Sequence, residues 1–368
     1  MDTTALADLF AHEGPFLTVY LDSTSTEPQA AQALDLRWRN VRRDLADQGA
    51  DEATLEAVDR AVDGDHTGGD TLAIIAAGGK VLFKRHLPEP PKSDIGWWSA
   101  LPRVGSVLEW NQSAIPHVVV LADRTGADIW VVDDGEVVEQ VEVEGSADRD
   151  QLTRVHAGGW SYRRYQQRAM NGWDTNAAEV AEEVAKLADH TRARLVAVAG
   201  DVQAVHYLEE HLPGEVNDIL EVIQHGARTP DGSIDQIADD VVKQVADVAA
   251  RDTVDVLGKY KEEVGQGDRA AEGPARTLEA LSRAQVETLL VHDAPEDERT
   301  AWFGPEVVHV GPDRATVEAM GTDQVREGRL VDVAIRAALG TSAEIRIGPS
   351  TTAKDGLGAV LRYTLTPA

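Results

Sequence analysis

The chain has 368 residues, enough for two or three domains with sizeable cores. Hydrophobic content of 42% and charged content of 27% lie near globular averages and exclude wholesale disorder. Zero cysteines exclude disulfides, thiolate metal sites and a cysteine nucleophile, and a net charge of −29 argues against non-specific binding to a polyanion.

The first ten residues, MDTTALADLF, lack the basic and apolar regions of a signal peptide. No apolar run approaches the roughly 20 residues that span a bilayer. Together with the missing cysteines, this predicts a cytoplasmic protein with no membrane partner.

In chain order, a short helical pattern leads into a strand at 16–21. After the turn at 22–28, a helix carries Leu34, Trp38, Val41 and Leu45 on one face, with Arg37, Arg39, Arg42 and Arg43 elsewhere around it. These arginines read as a phosphate-contacting face or as a solvated face balanced by Asp35, Asp44 and Asp47, the second being favoured. A helix at 52–63 and a hairpin at 71–87 turning on Gly78-Gly79-Lys80 follow. The Trp97-Trp98 pair reads as buried packing ahead of a partner site.

A second domain is predicted from about Ala114. It opens with a buried strand at 116–122 and a hairpin around Asp133-Asp134-Gly135. Asp174-Thr175 reads as the N-cap of a helix to about His190, followed by strand 195–199, helix 202–212, strand 219–223 and a long helix at 233–264. The last stretch predicts helix 274–284, strands at 286–292 and 307–310, helix 330–339, and strands at 343–347 and 358–365. The fold class is α/β (α+β overall) in three domains, 1–113, 114–262 and 263–368, the middle and C-terminal ones with mixed sheets.

Standard enzyme signatures are missing. There is no GxxxxGK[ST] phosphate loop, no HExxH and no GxSxG elbow, and Gly356-Leu-Gly358 lacks the third glycine of a dinucleotide fingerprint. No metal site and no cofactor is predicted.

One stretch stands out. Residues 151–173, QLTRVHAGGWSYRRYQQRAMNGW, hold no Asp or Glu despite the acidic whole. Arg154, His156, Arg163, Arg164, Gln167 and Arg168 alternate with Trp160, Tyr162, Tyr165 and Trp173 around Gly158-Gly159. Guanidinium groups pair with phosphate and rings stack on unpaired bases, so this composition suits RNA. A loop entering an ordinary amphipathic helix has the same composition, and both readings stand.

Arg154-Val-His-Ala-Gly-Gly-Trp-Ser-Tyr-Arg-Arg-Tyr-Gln-Gln-Arg-Ala-Met170 also resembles the His-x-x-Gly-Gly-Gln-Ser loop and Arg-rich helix of the archaeal and eukaryotic class-one release factors and their relative Pelota. Ala280-Leu-Ser-Arg-Ala-Gln-Val-Glu-Thr-Leu-Leu-Val291 and Asp355-Gly-Leu-Gly-Ala-Val-Leu-Arg-Tyr363 are similar to the start and the closing strand of the third domain in that family. The three together cover about 115–368 and look most like a bacterial, actinobacterial branch close to the ribosome hibernation factor Balon.

The resemblance implies a monomer occupying the ribosomal A site. Its loop would face the peptidyl-transferase centre, with ribosomal RNA, tRNA and a translational GTPase as partners. It places Gly158, Gly159 and Trp160 on the Gly-Gly-Gln positions and Arg163, Arg164 and Arg168 on the helix facing RNA. In release factors the glutamine helps place the attacking water; Trp160 has one N–H donor and no acceptor, so ester hydrolysis through this loop is not expected. Three readings follow: a non-hydrolytic A-site factor for hibernation, stress or rescue; a peptidyl-tRNA or aminoacyl-tRNA hydrolase; and a scaffold that has left translation.

Overall fold

The computed structural model describes residues 3–24, 30–63, 70–87, 91, 93–144, 160–224, 234–349 and 352–364, with backbone only for 3–4, 30–31, 160–171 and 234–236. The chain divides into two compact units: Met1–Gln112 together with Thr253–Ala368, and Ser113–Asp252. The first unit therefore holds both the N-terminal and the C-terminal stretches of the sequence.

The first unit begins with α1 (Thr3–Leu9), β1 (Phe16–Asp22), α2 (Ala30–Asp47), α3 (Glu52–Val62), β2 (Thr71–Ala77), β3 (Lys80–Leu87), β4 (Ile95–Ser99) and α4 (Gly105–Ser113). The strands form an antiparallel sheet in the order β3-β2-β1-β4. Gly78 and Gly79 take φ of 56° and 77°, which the two-residue hairpin turn between β2 and β3 requires. Leu34, Trp38, Val41 and Leu45 of α2 are buried with Leu55 and Val58 of α3 against Leu17, Val19, Leu72 and Ile74 of the sheet, as the 3.6-residue spacing predicts.

The arginines of α2 divide. Arg37 pairs with Asp22 at 2.8 Å and lies 3.6 Å from Asp94, while Arg42 pairs with Glu52 at 2.5 Å and with Asp59 at 3.0 Å. Arg43 lies 3.8 Å from Asp44, with its side chain 72% exposed. The strongest pairings thus use acids from β1, from α3 and from just before β4, which spacing along one helix cannot reveal. Trp97 and Trp98 are half-buried in β4.

The second unit contains β5 (His117–Ala122), β6 (Gly126–Asp133), β7 (Glu136–Glu144), α5 (Trp160–Thr191), β8 (Leu195–Gly200), α6 (Val202–His211), α7 (Gly214–Asn217) and β9 (Leu220–Val222), with the first part of α8 (Ile234–Gln266). Its sheet runs β7-β6-β5-β8-β9; β5, β8 and β9 are parallel and the β6–β7 hairpin is antiparallel. Val180, Val184 and Leu187 of α5 and Leu208 of α6 pack on one face with Val118, Val120 and Val196. Ile237 and Val241 of α8 pack on the other with Leu121, Ala197 and Ala199. A central sheet between helical layers buries both faces of β5 and β8, which explains their unbroken apolar runs.

One predicted boundary is corrected. Asp174 is not an N-cap: α5 begins at Trp160 and passes through Asn171-Gly172 without a break. A glycine inside a helix costs only about 1 kcal/mol, and just beyond it Trp173 and Asn176 contact Arg124.

The first unit resumes with the rest of α8, then β10 (Ala270–Glu272), α9 (Gly273–Ser282), β11 (Val286–Val291), β12 (Thr300–Phe303), β13 (Val310–Gly311), α10 (Arg314–Glu318), β14 (Arg326–Arg329), α11 (Leu330–Gly340), β15 (Glu344–Ile347) and β16 (Leu357–Leu361). One sheet has the order β10-β16-β11-β15 and a small one β13-β12-β14. Residues 330–339 of α11 are buried throughout, and Tyr260 of α8 packs on Leu290 and Val360. Relative to the sequence expectation, β13 starts three residues later and β16 ends earlier. The short β4, β10, β12 and β14 and the helix α4 were not anticipated.

Candidate functional site

The predicted RNA-binding residues fall into two groups. Arg154, His156, Gly158 and Gly159 lie outside the described residues, so the Gly-Gly turn has no described geometry. Trp160, Arg163, Arg164, Gln167 and Arg168 occupy the first turns of α5, where only the backbone is described. The backbone alone places them on one continuous helix with the residues packed on the sheet.

The root of that helix is defined in detail, where β5 and β8 end side by side. Asn176, 2% exposed, donates from Nδ2 to the Arg124 carbonyl at 3.0 Å. The Arg124 guanidinium lies 4.4 Å from the centre of the Trp173 ring and 3.1 Å from the Asp201 carboxylate. Asp201 in turn caps α6, its Oδ1 accepting from the backbone N–H of Gln203 at 3.0 Å and of Ala204 at 3.2 Å. One arginine thus ties α5 to the N-terminus of α6.

Electrostatics at this point is settled by hydrogen bonds. Burial alone would raise the Asp201 carboxyl, but Arg124 and the two helix N–H groups outweigh it and hold it below the ordinary range. The chain turns tightly here. Gly200 has φ of 134°, and a Cβ on it would lie 1.8 Å from the Ala122 carbonyl oxygen. On the neighbouring turn Asp123 Oδ1 accepts from Thr125 N at 2.7 Å and from Gly126 N at 3.0 Å, setting the sharp entry into β6. Farther along, His211 meets Asp174 at 2.8 Å, joining the end of α6 to α5.

Sequence reading missed this anchor. Its signals were the Asp-Arg-Thr-Gly turn at 123–126 and Gly200-Asp201, each just after a strand now seen to be parallel to its neighbour. The carboxyl ends of such strands are where α/β sheets place functional groups.

The central sheet and the helix α5 on its face define a mixed α/β unit. Residues 116–266 match the family model described as bacterial archaeo-eukaryotic release factor family 2. This stretch is therefore similar to the bacterial archaeo-eukaryotic release factors. An uncharacterized protein of Mycobacterium tuberculosis strain H37Rv, Rv2629, is 26% identical over 375 residues, covering 100% of this chain and 98% of that protein. Archaeoglobus fulgidus Pelota is a solved structure with 14% identity, covering 98% of this chain and 92% of its own, at a TM-score of 0.37. A model of ribosome-bound archaeal Pelota with ABCE1 gives 14% identity, coverage of 99% and 94%, and a TM-score of 0.39. No helix among the described residues is long and apolar enough to cross a membrane.

Proposed function

We propose that the protein is a cytoplasmic, monomeric ribosome-binding factor that occupies the A site in hibernation, stress or rescue without hydrolysing the peptidyl-tRNA ester. The observation that carries this reading is the acid-free, Arg- and aromatic-rich stretch 151–173. It lies at the start of a helix whose root is anchored in the release-factor family domain, and it has Trp160 where the family resemblance places the water-positioning glutamine. Positions 163, 164, 167 and 168 lie on the N-terminal turns of α5, ahead of Val180, Val184 and Leu187, which pack on the sheet. Their guanidinium groups suit contact with ribosomal RNA, tRNA serving as a further partner. A translational GTPase and the branch close to Balon belong to the same proposal.

The test is peptide release from ribosomes carrying labelled peptidyl-tRNA, run beside a binding measurement. Binding without release supports the reading. Release by the wild type, abolished in Gly159→Ala, would instead make the protein a peptidyl-tRNA hydrolase.

A further inference from the structure

A small cavity in the first unit is lined by β1, β4, α4 and the loop after β11. Its volume is about 210 Å³, and its walls include Tyr20, Trp97, Arg103, Trp110, Asp293 and Arg329. Ser106 and Glu109 of α4 line it as well.

Arg103 is the unusual member. It is 8% exposed, its Nε has no partner, and among the described residues its guanidinium forms no ion pair. The guanidinium lies 4.6 Å from the Trp97 ring centre, and Nη1 donates only a long 3.4 Å bond to the Pro295 carbonyl. Its backbone is fixed by Thr18 Oγ1, which accepts from its N–H at 3.2 Å, and by the Tyr20 hydroxyl, which donates to its carbonyl at 2.8 Å. The backbone at Arg103 is thus held in place, and Asp332, Glu298 and Asp293 act on its cation only from beyond ion-pair contact, which leaves a buried charge incompletely compensated.

The neighbouring charges are already committed. Arg329, also buried, pairs with Asp293 and with Asp332 Oδ1 at 3.1 Å and donates from Nε to the Asp297 carbonyl at 2.9 Å. Asp332 is 1% exposed and its Oδ2 has no partner.

We propose that Arg103 and this cavity form a binding site for a compact anion, a free carboxylate or phosphate seated beside Trp97 and Trp110. The groups around Asp332 are Arg329, Asp293, Arg103 and Tyr20, with Glu109 on the cavity wall and Glu298 acting on Arg103. Burial, reinforced by Asp293, pushes the Asp332 carboxyl up to about 7 against the opposing pull of Arg329 and Arg103. Ionisation of Asp332 adds one negative charge beside Arg103 and Arg329, to those of Asp293, Glu109 and Glu298. Anion binding is therefore strongest below pH 7 and weakens as pH rises through it.

The test titrates the full-length protein with sodium acetate and with sodium phosphate at pH 6, against sodium chloride of equal ionic strength, and follows tryptophan fluorescence and melting temperature. A saturable response to either anion that chloride does not reproduce, and that Arg103→Gln abolishes while still melting cooperatively, supports the site; which anion gives it identifies the chemistry. No saturable response in the wild type, or a response kept in Arg103→Gln, overturns it. Should Arg103→Gln fail to fold, Asp332→Asn decides. Acetate affinity falls about tenfold between pH 6 and pH 8 in the wild type, as one linked proton near 7 requires, and stays level in Asp332→Asn; equal slopes in both overturn the proposal.

Discussion

At the scale of single residues, Asp332 is a carboxylate that the fold keeps from water. Its folded pKa is raised, with burial as the leading cause, so the native state holds a proton that the unfolded chain has released above about pH 4. Folding stability therefore falls as pH rises from about 4 through 7 on account of this group, the reverse of an ordinary surface aspartate. Urea unfolding at pH 5, 6, 7 and 8 in the absence of added anions checks this: Asp332→Asn removes this falling contribution and gives a flatter pH profile than the wild type. Arg124 makes a second residue-scale prediction. Arg124→Ala removes both the Trp173 stacking and the Asp201 ion pair; at partly exposed positions these are worth roughly 0.5–1 kcal/mol each. A drop of about 1 kcal/mol in the same urea assay is expected, less than the full sum, because the two share one guanidinium and do not add fully.

At the scale of elements, Gly200 and α5 are the informative cases. Gly200→Ala combines a backbone angle that L residues avoid with a clash against the Ala122 carbonyl, so it should cost about 2–4 kcal/mol. A thermal melt within about 1 °C of the wild type would contradict that geometry. For α5, replacing Arg163, Arg164 and Arg168 by alanine should leave the melt unchanged and flatten the salt dependence of RNA binding by up to about 0.9 log–log units for each phosphate these side chains neutralise. An unchanged slope would make this a solvated helix face.

Much at this scale was legible in sequence. The uninterrupted strands 116–122 and 195–199 announced a sheet covered on both sides, and Leu34, Trp38, Val41 and Leu45 announced the packed face of α2. What stayed hidden depended on tertiary partners. Asp174 has the composition of an N-cap, but Trp173 on Arg124 and Asn176 on the Arg124 carbonyl carry the helix past it. The short strands β12 and β14 pair with each other across a long separation in sequence, and runs of four residues give little periodicity to read. Of the candidate site, sequence found the basic stretch, whereas the anchor beneath it needed the parallel pairing of β5 and β8 to bring Arg124 and Asp201 together.

At the scale of the whole molecule, net charge and local charge oppose each other. A chain of −29 is repelled at long range by RNA, so in the proposed function the small basic segment would have to supply the attraction at close range. Binding that depends on few neutralised phosphates is expected to be specific to a shaped site and to show a shallow salt slope. The most direct measurement is co-sedimentation of the purified protein with vacant bacterial ribosomes and with ribosomes whose A site holds tRNA, across a series of salt concentrations. Retention on vacant ribosomes at physiological salt, abolished when tRNA fills the A site, is the predicted result. Failure to sediment with either, or equal retention on both, would contradict A-site occupancy.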